Sequence, residues 1–105
     1  MTITTERRGS AGIILMDRPP VNAINHDIRA GLLAALAQLS ADGSLDRIIL
    51  AGAGRIFAAG ADAGEFNAAP TEPTLPQVVA AIESSRLPVL AAIRGACLGG
   101  GLELA

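Results

Sequence analysis

Gly99, Gly100 and Gly101, followed two positions on by Glu103, are the residues of this chain whose types and spacing are best suited to chemistry. An apolar run before them, Val89 to Ile93, reads as a buried strand, and Leu102-Glu103-Leu104-Ala105 after them reads as the start of a helix. The glycine-rich stretch from Gly95 to Gly101 lets the backbone turn where other residues would be strained. A strand, a glycine turn and a helix N-terminus expose backbone N–H groups that no intrahelical carbonyl satisfies, and the helix dipole favours negative charge at that point. The combination suits an anion or a developing oxyanion, with the Glu103 carboxyl beside it to handle protons.

Familiar glycine motifs fail on their letters. A dinucleotide fingerprint needs glycine at its sixth position, which is Leu104 counting from Gly99 and Phe57 counting from Gly52. A phosphate-binding loop needs Lys and then Ser or Thr after its second glycine. Gly95 and Gly100 have the separation, but Gly101 and Leu102 follow. Upstream, Ala58, Ala59, Gly60 and Ala61 form a second small-residue turn, after the strand-like Asp46 to Ala51 and before a short helix that Asp62 is placed to cap. If the two strands are neighbours, both turns lie at the carboxyl ends of the strands, where α/β proteins place ligands. Two converging N–H groups there would make an oxyanion hole.

The elements that must hold these turns follow from pattern. Ile3 to Thr5 and Ala11 to Met16 read as a hairpin across a polar turn, Glu6 to Ser10. After the extended "DRPPV", Asn25 is placed to cap a helix carrying Ile28, Leu32, Leu36 and Leu39 on one face with Leu33 and Ala35 beside them, and Asp42-Gly43 ends it. Leu75, Val78, Val79 and Ile82 mark a second amphipathic helix with Pro76 in its first turn, and Pro88 precedes the last strand. Strand, helix, strand order predicts an α/β fold with parallel members.

Composition narrows the partners. Of 105 residues half are hydrophobic, and ten acids against eight bases give a formal charge of −2, too little basic field to attract nucleic acid. The aromatic residues are Phe57 and Phe66, which argues against base stacking. The longest uncharged stretch, Ala30 to Ala41, is far below the roughly 18 residues a membrane span needs, so no membrane partner is expected. "MTITTERRGSAG" lacks the apolar core of a secretory signal and Cys97 is the single cysteine, so a cytoplasmic setting is expected. Ala105 falls a few residues into a helix, with no cap after it, and the chain is expected to be the front of a longer domain.

"RIFAAGAD" followed by "IRGACLGGGLELA", with "RPPVNAIN" upstream, resembles the enoyl-CoA hydratase/isomerase (crotonase) superfamily over nearly the whole chain. The resemblance implies a crotonase-like spiral of β-β-α units, of which residues 1–105 would be the N-terminal part of one acyl-CoA-binding domain, incomplete at its C-terminus. It also implies acyl-CoA thioester substrates and a stabilised enolate. By motif position the oxyanion donors would be the N–H groups of Ala61 and Gly100, and backbone around Ala23-Ile24 and Ala59-Gly60-Ala61 would hold CoA. Glu103 falls where the family's hydratases keep the first of two catalytic glutamates; the second lies further along such chains. Many family isomerases lack Glu there, which favours hydration of a trans-2-enoyl-CoA, as in fatty acid β-oxidation, over isomerisation or other enolate chemistry. Family members often carry Lys or Arg after the "GAD" turn to meet CoA phosphates. This chain has Ala63 and Gly64, with Arg55 as a candidate substitute. The run from Leu75 onward also looks like the hydratase portion of multifunctional proteins whose later part is an NAD-dependent 3-hydroxyacyl-CoA dehydrogenase. No cofactor is expected in the present portion, since CoA belongs to the substrate. Relatives are commonly homo-oligomers or parts of larger multifunctional chains.

Blander roles stand beside these. A triple glycine is often a close-packed turn, and a first-turn Glu is often a helix acid stabilised by the dipole; a non-catalytic acyl-CoA-binding fragment is the alternative of a different class. Asp62 fits a cap better than a catalyst, Cys97 a small buried hydrophobe, and His26 a solvated residue at a helix start. No clustered ligand set points to a metal.

Overall fold

The computed structural model describes residues 3–18, 24–53 and 72–92. Strand β1 (Ile3–Arg8) runs antiparallel to β2 (Ala11–Met16). Helix α1 (His26–Ser40) leads to β3 (Arg47–Gly52), which lies parallel to β2. Helix α2 (Leu75–Glu83) precedes β4 (Val89–Ala92), parallel to β3. The four-stranded sheet has the order β1-β2-β3-β4. The β-β-α unit expected at the start of the chain is present as β1, β2 and α1.

The hairpin differs from expectation. Glu6, Arg7 and Arg8 belong to β1 rather than to a long turn, and the turn is Gly9-Ser10 between the paired Arg8 and Ala11. Gly9 has φ +59, which the primed two-residue hairpin turns require and which glycine adopts without a side-chain penalty. Polar residues fit here because β1 is an edge strand: its ladder partner is β2 while its side chains from Thr4 to Arg8 are exposed.

Alternation in the next strands builds the core. Ile14 and Met16 of β2 and Ile48 and Leu50 of β3 are buried, packed with Ile28, Leu32, Leu36 and Leu39 of α1 and with Val78 of α2. Burying such a side chain contributes about 1.5–3 kcal/mol, so this cluster rather than helix propensity holds α1 on the sheet. Ile13, Ile49 and Leu90 share one line across the opposite face, where Ile13 and Ile49 are half-buried and Leu90 is 54% exposed.

Both helices begin on side-chain caps. Asn25 Oδ1 accepts from Ile28 N–H at 3.0 Å, as the sequence predicts. Thr74 and Gln77 form a reciprocal capping box, with Thr74 N–H donating to Gln77 Oε1 at 2.7 Å. The Thr-x-x-Gln spacing carries that signal in the sequence.

The amino-terminal edge of the parallel strands is tied by polar contacts. Asp46 N–H donates to Ser10 O at 2.8 Å, Ser10 Oγ donates to Asp46 Oδ2 at 3.0 Å, and Arg7 pairs with Asp42 at 3.4 Å. Ser44 donates to Asp42 through both its N–H and its hydroxyl, and these bonds, ahead of Arg7, lower the Asp42 pKa from the ordinary 3.8. The carboxyl edge, by contrast, ends in Met16, Gly52 and Ala92.

Candidate active site

Everything the sequence assigns to chemistry is attached to that carboxyl edge. The register pairs Met16 with Gly52 and Ala51 with Ala92, so β2, β3 and β4 terminate side by side. From β2 the chain continues towards Ala23 and Ile24, from β3 towards Ala59, Gly60 and Ala61, and from β4 towards Gly100 and Glu103. The condition on which the oxyanion-hole expectation depended, that the strands feeding the two small-residue turns be neighbours, is therefore met. Of the assigned residues, Ala23, Ala59, Gly60, Ala61, Gly100 and Glu103 lie outside the described residues, as do Arg55, Asp62 and Cys97.

Ile24 is described, and it is 1% exposed. Its side chain belongs to the core. What Ile24 can offer a ligand is therefore its backbone. Directly after it, Asn25 starts α1, fixing where the helix begins relative to the end of β2.

His26 is solvated as expected, and it also has partners. Its side chain is 45% exposed, Nε2 lies 3.0 Å from the carbonyl oxygen of Glu72, and Asp27 is 3.8 Å from Nδ1. Arg29 went unassigned in the sequence and is the more telling side chain. It is buried at 9% exposure and its Nε donates to Pro73 O at 2.7 Å. A signal for it existed. Arg29 stands three residues before Leu32 and seven before Leu36, which puts a charge on the apolar stripe, where an Arg needs a partner. On the sheet side, Ala53 N–H donates to Met16 O at 2.7 Å, which carries the contact between β2 and β3 past Gly52. Among the described residues there is no group of three or more His, Cys, Asp and Glu able to hold a metal ion.

A family model described as enoyl-CoA hydratase/isomerase matches residues 6–105. A probable enoyl-CoA hydratase of Bacillus subtilis is 39% identical over 100 residues, covering 89% of this chain and 39% of that protein. A peroxisomal bifunctional enzyme of Danio rerio is 35% identical over 96 residues, covering 91% of this chain and 13% of that protein. In three dimensions the chain is similar to an enoyl-CoA hydratase/carnithine racemase from Magnetospirillum magneticum, with a TM-score of 0.91 and 37% identity over 100% of this chain and 43% of that one. The chain thus spans less than half the length of each of these relatives.

Proposed function

The chain belongs to the enoyl-CoA hydratase/isomerase family, and from that membership we propose that it carries the N-terminal share of a site that adds water to a trans-2-enoyl-CoA. The observation that carries the proposal is the shared carboxyl edge of β2, β3 and β4, from which all three candidate segments depart.

In this reading Ala23-Ile24 and Ala59-Gly60-Ala61 grip the CoA moiety by backbone, and the N–H groups of Ala61 and Gly100 donate to the thioester oxygen. Water adds through its oxygen to C3, the C2–C3 π electrons move onto the thioester as an enolate, and a proton then reaches C2. Donors fixed in advance stabilise the developing oxyanion without reorganising, and each such donor is typically worth about 10²–10³ in rate. Main-chain donors also explain the small residues, since larger side chains at these turns would obstruct the thioester. Glu103 accepts the proton from water as it attacks; a second carboxyl, further along in hydratases of the family, shares the proton handling.

The test is steady-state hydration of crotonyl-CoA by the wild-type chain and by Glu103→Gln, with CoA binding measured in parallel. Glu103-dependent turnover supports the hydratase. Binding without any such turnover would instead support a non-catalytic acyl-CoA-binding role.

A further inference from the structure

β2, β3 and β4 are parallel, and among the described residues both helices pack on one face of their sheet, the face of Ile14, Met16, Ile48 and Leu50. Parallel strands are found with both faces covered. The other face here is apolar too. The register sets Ile13, Ile49 and Leu90 in one row across it and Leu15, Ala51 and Ala92 in the next. Leu90 is 54% exposed, Ala92 is exposed and the other four are half-buried. A contiguous apolar patch of this kind marks an interaction surface.

The two rows also say what fits there. A second copy can be set against this face on a two-fold axis that lies between the sheets, runs across the strands and passes between the rows. Each strand then lies antiparallel over its own counterpart, and each row meets the other row of the second copy. Ile49 of one copy faces Ala51 of the other, and Leu90 faces Ala92, a large side chain against a small one, as the interdigitating faces of packed sheets require.

Charge agrees in the same orientation. The next row towards the amino edge of the parallel strands is Arg8, Ala11 and Arg47. Past the carboxyl edge stands Asp17, exposed and two residues beyond Leu15, on the side that strand alternation assigns to it. The two-fold brings Asp17 of one copy over Ala11 of the other, between its Arg8 and Arg47. The pairs these arginines make within the chain, with Glu6 at 3.8 Å and Asp46 at 2.7 Å, are on exposed side chains and cost little to rearrange. With the axis along the strands instead, basic row would lie over basic row, and like charges across an interface suppress that arrangement.

We propose that this face is the interface of a two-fold homodimer of the chain, sheet on sheet with the strands antiparallel. Four strands about 4.8 Å apart and six residues of about 3.3 Å each give a face of roughly 300–400 Å². That is about half of what a standard interface buries on each partner, so the dimer is weak and exchanges with monomer. The inference rests on the sheet alone and stands apart from the hydratase reading.

The experiment is sedimentation equilibrium of the whole chain over a range of concentrations, with circular dichroism to confirm that each variant is folded. It compares wild type with Leu90→Lys, Asp17→Arg and the double variant Asp17→Arg/Arg8→Asp. Wild type is expected to show a reversible monomer–dimer equilibrium. Leu90→Lys sets an ammonium against Ala92 of the other copy and should raise the dimer Kd about tenfold or more. Asp17→Arg opposes like charges and should also weaken the dimer, by several-fold, while the double variant restores opposite charges across the interface and should dimerise more tightly than Asp17→Arg alone. Asp17 and Arg8 are both exposed, so these two substitutions test the interface even where Leu90→Lys fails to fold. A monomeric wild type overturns the dimer. A dimer that folded Leu90→Lys leaves unchanged lies on another surface and overturns it as well. Absence of rescue in the double variant overturns the antiparallel two-fold.

Discussion

Ala51 of β3 and Ala92 of β4 are partners in the parallel ladder, so the strands that feed the two small-residue turns end together at one edge of the sheet. In the proposed function Glu103, which follows β4 in the chain, acts on a substrate held by the segment that follows β3. Glu103→Gln preserves shape and removes the proton acceptor. It is expected to lower kcat for crotonyl-CoA hydration by about 10²–10⁴, the range of general acid–base catalysis, and to leave CoA affinity within about threefold. Steady-state kinetics beside calorimetry read the two quantities. A variant as active as wild type would remove Glu103 from the mechanism.

The same edge shows what the sequence could and could not convey. Strand and helix types were legible because Ile14, Met16, Ile48 and Leu50 alternate and Ile28, Leu32, Leu36 and Leu39 repeat with a helical period. That β3 and β4 are neighbours was not legible: parallel pairing forms across a long connection, and local pattern carries no record of it. Edge strand β1 was read short for the opposite reason, since Glu6, Arg7 and Arg8 need no apolar face where their side chains meet water. Glu103 and the glycines were singled out by residue type. Arg29 went unassigned because a partner of its guanidinium, the Pro73 carbonyl, is remote in sequence.

Asn25 is where the link after β2 becomes helix, and its Oδ1 takes the Ile28 N–H at 3.0 Å. Replacing it by Ala leaves that donor without its cap and is expected to cost about 1 kcal/mol, whereas Asp, which also caps, should cost far less. Urea unfolding of the three proteins, compared at equal m-values, measures this. Equal stability of Asn25→Ala and wild type would show that the cap contributes nothing.

Asp42 sets an acid-side dependence of stability. Its carboxylate accepts from the Ser44 hydroxyl and N–H, which lowers its folded pKa from 3.8. A folded pKa below the unfolded one means that the unfolded chain takes up the proton first. The associated stability is thus present above the ordinary value and is lost as pH falls through the lower folded value. Ser44→Ala should move the Asp42 titration back up towards 3.8 and reduce this part of the acid-side loss. Carboxyl chemical shifts followed by NMR from neutral pH downwards give the titration directly. An Asp42 midpoint unmoved by Ser44→Ala would assign the lowering to something other than the Ser44 hydroxyl.

Gly31 faces β1 from the middle of α1, and two opposing effects bear on its replacement by Ala. Helix propensity favours Ala by about 1 kcal/mol. Against that, a Cβ built at position 31 would lie 2.5 Å from Ile3 Cγ1 and 2.9 Å from Ile3 Cβ, too close for real carbon contacts. The second of these is at the root of the side chain, so rotating Ile3 does not relieve it and either the helix or β1 must shift. Overpacking of this kind costs about 1–3 kcal/mol, enough to outweigh the propensity gain, so Gly31→Ala is expected to destabilise the chain. Ile3→Ala removes the nearer of the two atoms. It should therefore cost less in the Gly31→Ala background than in wild type, giving a coupling of about 1 kcal/mol or more in a double-mutant cycle read by urea unfolding. Additivity within about 0.5 kcal/mol would mean that α1 and β1 do not meet at these residues as the structure has them.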